Sequence, residues 1–151
     1  MSKKLIFLFC IATVVLFVTR AELVLADPVD RAGNLGTLLN EARAQFGQTP
    51  LKESLDLTAV AQMHADDMVR QAYFSHTGKD GSQYTQRIAR QGFNVCFSAE
   101  NISKGAMTAA ETMNIWMSSP PHRQNNLHSQ STHYGVGVAD QIWVLIIAER
   151  C

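Results

Sequence analysis

The chain has 151 residues with 13 basic and 13 acidic side chains, and 46% of its residues are apolar. This length fits one domain, or one domain preceded by a short targeting segment. The balanced charge argues against a nucleic-acid ligand, because phosphate binding needs a clustered surplus of basic residues. Only 17% of the residues are charged and apolar residues occur throughout, so the sequence is not that of a disordered protein.

The first 26 residues have the organisation of a secretory signal. Lys3 and Lys4 form a basic start, residues 5–18 carry no charge, and Val24-Leu25-Ala26 resembles a cleavage site. The apolar stretch is shorter than the roughly 20 residues that cross a bilayer. We therefore predict a signal peptide over 1–26, cleaved near Ala26, and a single secreted, extracellular or periplasmic domain over 27–151 without a stable membrane span. The alternative is an uncleaved membrane anchor.

Export would place the cysteines of the domain in a compartment where disulfides can form. Cys10 lies in the signal segment, so Cys96 and Cys151 remain as an even pair in an oxidising compartment. We predict that they form a disulfide, and the alternative is two free thiols. On the chain-entropy account, such a long closed loop would stabilise the domain by about 4 kcal/mol.

Helical patterns dominate the first part of the domain. Apolar residues recur at helical spacing from Leu35 to Phe46, and Gly47 ends this first helix. Three more helices are predicted: from about Asp56 to before Tyr73, from an N-cap at Ser82 through Gln91, and from a Thr108–Glu111 capping box to Pro120-Pro121. A short helical turn is expected around 123–127.

Strand patterns occur later in the chain. They cover 93–97 running into 98–102, then 134–139, and finally 142–149, with a two-residue gap that favours a hairpin between the last two. The last segment is almost continuously apolar, which predicts a central strand covered on both faces. Helices and strands in this arrangement indicate an α+β fold with an antiparallel sheet.

His76, Glu100 and His122 are the main candidates for chemistry, because each lies at the end of a predicted element. Two imidazoles and one carboxylate can bind a divalent metal or support acid–base chemistry. The intervals of 24 and 22 residues have no local periodicity, so spacing alone does not bring these residues together. His64 lies on the apolar face of the second helix and is interpreted as a core residue, with a place in the site as the alternative.

Six motifs in chain order resemble the CAP superfamily, which includes cysteine-rich secretory, antigen 5 and pathogenesis-related 1 proteins. The nearest resemblance is to the bacterial secreted SCP-domain branch, over about residues 34–149. The motifs are Leu39–Leu51, Ala61–Met68, Phe74–Gly78, Ala99–Ile102, Trp116–Asn125 and Gly135–Val138.

The resemblance implies a three-layer α-β-α sandwich with a small antiparallel sheet and a cleft lined by two histidines and two acidic residues. Carried over by motif, His76 and His122 are the metal ligands and Glu100 is one acidic residue. The implied cofactor is a divalent metal, zinc first, and no organic cofactor is expected. Ser119 occupies the second acidic position, so a mechanism based on paired carboxylates is weakened.

Three functions stay open. The first is an exported monomeric binding domain whose cleft holds a divalent metal, a peptide, or a small apolar ligand such as a sterol or fatty acid. The second is a metal-dependent hydrolase of extracellular peptides or esters, with Glu100 as the catalytic residue that activates or orients water. The third is a structural or host-interaction domain whose cleft is vestigial. The alternative to a cleft role for Glu100 is a capping or salt-bridged carboxylate, for example paired with Arg123.

Overall fold

The computed structural model describes residues 28–151, so the predicted signal segment lies outside the described residues. The described part contains five helices and four strands. In chain order they are α1 Pro28–Gln45, β1 Lys52–Glu53, α2 Leu55–Arg70, α3 Tyr84–Arg90, β2 Val95–Lys104, α4 Ala109–Ser118, α5 Pro120–Asn126, β3 His133–Ala139 and β4 Ile142–Arg150.

Local capping explains where two of the predicted helices begin. The hydroxyl of Thr108 accepts the Glu111 amide, and the Glu111 carboxylate accepts the Thr108 amide, which confirms the predicted capping box of α4. The predicted N-cap of α3 is wrong by one residue. Gln83 is the N-cap and forms a capping box with Gln86, while Ser82 is buried in the preceding loop.

The sheet has the strand order β1-β3-β4-β2. β4 pairs antiparallel with both β3 and β2, which confirms that it is a central strand. The sequence pattern did not predict β1, a two-residue strand that pairs parallel to β3 through Lys52 and His133. The sheet is therefore mixed at this edge rather than wholly antiparallel. The prediction missed β1 because its two exposed, charged residues show no strand-like alternation.

Alternate residues of β4 enter two separate apolar cores, as the pleat of a strand requires. Trp143, Leu145 and Ile147 belong to the core that α1 and α4 cover. Val144 and Ile146 belong to the core that α2 and α3 cover. Helices thus lie on both faces of the sheet, which confirms the α+β fold and its three layers.

Phe46 departs from the prediction that it lies on the buried face of the first helix. It lies just past the end of α1 and is 55% exposed. The chain turns here through Gly47, whose φ is 69°, so the helical periodicity no longer applies to Phe46.

The packing of α2 on β3 depends on two glycines. A Cβ atom at Gly135 would overlap the α2 backbone at Leu57 and Thr58, and one at Gly137 would overlap the backbone at Ala61. Glycine at these positions lets helix and strand backbones approach directly, which fixes the position of α2 relative to the sheet.

Cys96 and Cys151 form the predicted disulfide, with a sequence separation of 55. The bond ties the start of β2 to the residue after β4. None of the helices within residues 28–151 is long and apolar enough to span a membrane.

Candidate functional site

His76 is held by a buried carboxylate. It lies in the loop between α2 and α3, and its Nδ1 is 2.8 Å from Oε1 of Glu100 on β2. The Glu100 side chain is fully buried, whereas that of His76 is 49% exposed. Because a carboxylate only accepts, Nδ1 carries the shared proton, and in a neutral ring Nε2 keeps its lone pair. The contact therefore orients the imidazole and leaves Nε2 free to bind a ligand.

Arg87 on α3 secures the other side of the same carboxylate. Its Nη2 lies 2.7 Å from Oε2 of Glu100 and 3.1 Å from the backbone oxygen of His76, and its Nη1 donates to the backbone oxygen of Ser82. Only 11% of the Arg87 side chain is exposed. One guanidinium thus joins the helix, the loop and the strand that build this part of the site.

Asn101, the next residue of β2, organises the helix that carries His122. Its Nδ2 donates to the backbone oxygen of His122 at 3.0 Å and to Oδ1 of Asn126 at 2.8 Å. Its Oδ1 accepts from Nδ2 of Asn125 at 2.8 Å. Asn101 is 1% exposed, so its amide is a buried anchor whose hydrogen bonds all go to α5.

The two faces of the edge strand β2 therefore each hold one segment that carries a histidine. Glu100 shares a strand face with Ile102, which packs in the core of α2 and α3, and Asn101 lies on the opposite face. Since β2 is at the edge of the sheet, groups held from its two faces can meet around its free side. The consecutive pair Glu100-Asn101 thus fixes the His76 ring and the backbone at His122.

The electrostatics of His122 favour its neutral form. Burial lowers its pKa, and the neighbouring His76 lowers the pKa further. Its Nδ1 is buried and has no hydrogen-bond partner among the described residues. A buried polar nitrogen without a partner is costly, typically by about 1–3 kcal/mol.

His64 and Ser119, the two weaker predicted site residues, occupy different environments. His64 is 2% exposed, and its Nε2 donates to the backbone oxygen of Ser75 at 2.9 Å. It therefore supports the loop that carries His76 and is a core residue, as its position on the apolar face of α2 predicts. Ser119 is half-buried at the junction of α4 and α5, where its side chain makes no capping hydrogen bond.

Sequence reasoning missed Arg87 and named the wrong partner for Glu100. Arg123 is exposed and donates to the backbone oxygen of Met117. The sequence signal for Arg87 is its position one turn into a short helix whose Ile88 faces the core. This signal does not identify the partner, because Glu100 lies 13 residues away on a strand. Within residues 28–151, no three His, Cys, Asp or Glu side chains are arranged to hold a metal ion.

The three-layer α-β-α sandwich is the fold that the resemblance to the CAP superfamily implies. A family profile described as the cysteine-rich secretory protein family, CAP, matches residues 37–142, and the chain belongs to this family. It is 31% identical over 101 residues to the uncharacterized membrane protein YlbC of Bacillus subtilis. That alignment covers 67% of this chain but 29% of YlbC.

Three solved bacterial structures share the fold. An extracellular protein containing an SCP domain from Bacillus anthracis superposes with a TM-score of 0.79 at 25% identity, covering 82% of this chain and 41% of that one. An outer surface protein from Borrelia burgdorferi gives 0.76 at 21%, covering 83% and 97% of the two chains. A cysteine-rich secretory protein from Staphylococcus aureus gives 0.73 at 22%, covering 82% and 40%. The chain thus spans less than half the length of two of these proteins.

Proposed function

We propose that this protein is an exported binding domain whose cleft holds a divalent metal ion, zinc first, between His76 and His122. The observation that carries the proposal is the buried contact between Glu100 and Nδ1 of His76, which leaves Nε2 of a fixed imidazole available. A carboxylate behind a ligating histidine is the usual outer partner of zinc-binding imidazoles, because it fixes the ring and raises its basicity.

His122 supports the same role. Metal binding needs an unprotonated imidazole, and burial together with the neighbouring His76 lowers the pKa of His122. Its buried Nδ1 has no partner among residues 28–151, and a turn of the ring would be needed to bring this nitrogen to a bound ion or ligand. The residues present therefore fit a zinc site in the chemistry of their donors.

Two protein ligands make an open site. Zinc usually takes four ligands, so two positions would remain for water or for donor atoms of a bound molecule. Ser119 adds no carboxylate where the family resemblance implies an acidic residue. The site is therefore expected to bind metal more weakly than a closed structural zinc site and to use the ion for contact with a ligand.

The geometry gives Glu100 a positioning role rather than that of a general base. Both of its oxygens are engaged, by His76 and by Arg87, and its side chain is fully buried. A general base must reach the proton that it abstracts within hydrogen-bond distance. Hydrolysis of peptides or esters is thus the less favoured function, and turnover with added zinc that disappears in Glu100→Gln would restore it.

Export is part of the proposal. The signal-like segment 1–26 and the Cys96–Cys151 disulfide both fit an oxidising compartment outside the cytoplasm. Two of the structural relatives carry the descriptions extracellular and outer surface protein. A peptide or small apolar molecule as the cleft ligand is proposed on the family resemblance alone.

Calorimetric titration of zinc into the untagged domain tests the metal site. We expect one site per molecule in the wild type and its loss in His76→Ala and in His122→Ala. Glu100→Gln keeps both imidazoles but frees the His76 ring, so affinity should fall about 10- to 100-fold.

His133→Ala is the matched control for this titration. His133 lies at the start of β3, where its ring bonds to the Thr132 hydroxyl and packs against Phe93. This substitution should leave the zinc isotherm unchanged. If His76→Ala and His122→Ala bind zinc as the wild type does, the proposed site is wrong.

A further inference from the structure

The described structure has a groove between α2 and α3. The groove has a volume of about 600 Å³, and neither His76 nor His122 lines it. Met63, Asp66 and Arg70 contribute from one face of α2, because residues three and four apart in a helix lie on the same side. Arg87 and Arg90 contribute from the facing helix, α3.

Ion pairs within the protein involve most of the charged groups of this groove. Arg70 pairs with Asp67, whose carboxylate also accepts from Nε2 of Gln71 at 2.7 Å. Nη1 of Arg90 pairs with Oδ2 of Asp80 at 3.1 Å. The groove therefore presents guanidinium and carboxylate groups side by side, with little excess of either sign.

These pairs leave much of the hydrogen-bonding capacity unused. A guanidinium has five N–H donors. Among the described residues, Arg70 and Arg90 each make a single side-chain hydrogen bond, through one nitrogen. Both side chains are more than half exposed. Asp66 is exposed and accepts from Gln62 through Oδ1, and its Oδ2 has no hydrogen-bond donor within residues 28–151.

A buried histidine also lies beside the groove. His64 lines the groove, and its Nε2 donates to the backbone of Ser75, so Nδ1 is the acceptor of the neutral ring. Burial lowers the pKa of His64, which favours that neutral form. The groove thus offers donors and acceptors side by side, with Met63 as an apolar surface next to them.

We propose that this groove binds a neutral, hydroxyl-rich ligand, a carbohydrate of about two sugar units. A hydroxyl group both donates and accepts, so neighbouring hydroxyls can satisfy a carboxylate and a guanidinium together. A charged ligand gains little from a groove whose lining carries three guanidinium and three carboxylate groups. This proposal does not depend on the metal site.

Nuclear magnetic resonance titration with cellobiose and N,N′-diacetylchitobiose tests the groove in the presence of EDTA, which removes the contribution of the cleft metal. We expect amide shifts confined to α2, α3 and the loop over 78–82. Asp66→Ala and Arg90→Gln should each weaken binding at least about fivefold, which corresponds to roughly one lost hydrogen bond.

Asp56→Ala and Arg123→Gln are the matched controls, since both residues are exposed and neither lines the groove. They should leave the sugar affinity unchanged. A peptide of three alanines with blocked ends and inorganic phosphate are the competing probes. The proposal is overturned if millimolar sugar shifts no groove amide, if the groove variants bind as well as the wild type, or if the peptide or phosphate binds more tightly than either sugar.

Discussion

The two long paired strands β4 and β2 differ in what they bury. β4 carries only apolar side chains from Ile142 to Ala148, and every one of these residues is buried. β2 buries Glu100 and Asn101 in its middle. An apolar strand needs only close-packed neighbours, whereas buried polar groups need partners at hydrogen-bond distance. The partners of β2 come from α3, α5 and a loop, and this requirement is what assembles the candidate site beside the edge strand.

A larger side chain at Gly137, where β3 lies directly against α2, should cause the largest loss of unfolding free energy. Gly137→Val places branched carbon atoms against the α2 backbone at Ala61, so we expect a loss of more than about 3 kcal/mol of unfolding free energy, or no soluble protein. Gly137→Ala should fold with a smaller loss, measured by urea denaturation.

Gly105→Ala separates steric overlap from backbone strain. A Cβ atom at Gly105 meets nothing within 4 Å, but the residue has a φ of 96°. Its loss should be about 1 kcal/mol. If Gly137→Ala costs no more than Gly105→Ala, the close packing of α2 on β3 does not limit stability.

Breaking the buried ion pair between Glu100 and Arg87 should cause the next largest loss of unfolding free energy. Glu100→Gln removes the partner of a guanidinium that is only 11% exposed, and we expect a loss of about 3 kcal/mol. Arg87→Met alone leaves the carboxylate without its cation. The double variant should lose less than the sum of the two single losses, because it leaves neither charge unpaired. Additive losses in urea denaturation would contradict direct coupling of this pair.

The contrast between the two strands also explains how much the sequence could predict. The apolar run of β4 and its place in the sheet follow from local pattern, because burial on both faces needs apolar residues at every position. The capping box at Thr108 is equally local. Arg87 as the partner of Glu100 was not predictable, since it depends on how α3 packs against β2. The two-residue strand β1 was missed because its pairing with β3 is a tertiary contact without a sequence period.

The backbone of Val138 on β3 is hydrogen-bonded by a side chain, and removing these bonds should cause a smaller loss of unfolding free energy. The side-chain amide of Gln62 accepts from the Val138 amide at 2.9 Å and donates to the Val138 oxygen at 3.0 Å, as a neighbouring strand would. Gln62→Ala removes both bonds, and we expect a loss of about 1 kcal/mol together with faster hydrogen exchange of the Val138 amide.

Gln124→Ala is the control for that substitution, because Gln124 is exposed on α5. Its unfolding free energy and the exchange rate of the Val138 amide should match the wild type. Unchanged exchange at Val138 in Gln62→Ala would mean that the side chain does not protect this edge.

Lowering the pH should have the smallest effect on the unfolding free energy, through protonation of His64. Burial lowers the pKa of His64 in the folded protein, although Glu100 and the Ser75 carbonyl oppose this. Above a pH of about 6.5, the usual value for histidine, both folded and unfolded forms are neutral here. As the pH falls below that value the unfolded chain takes up the proton first, so the unfolding free energy decreases. His64→Gln should flatten this decrease between pH 7.5 and 5, measured by urea midpoints in EDTA. An unchanged slope would show that His64 is not the group whose protonation opposes folding.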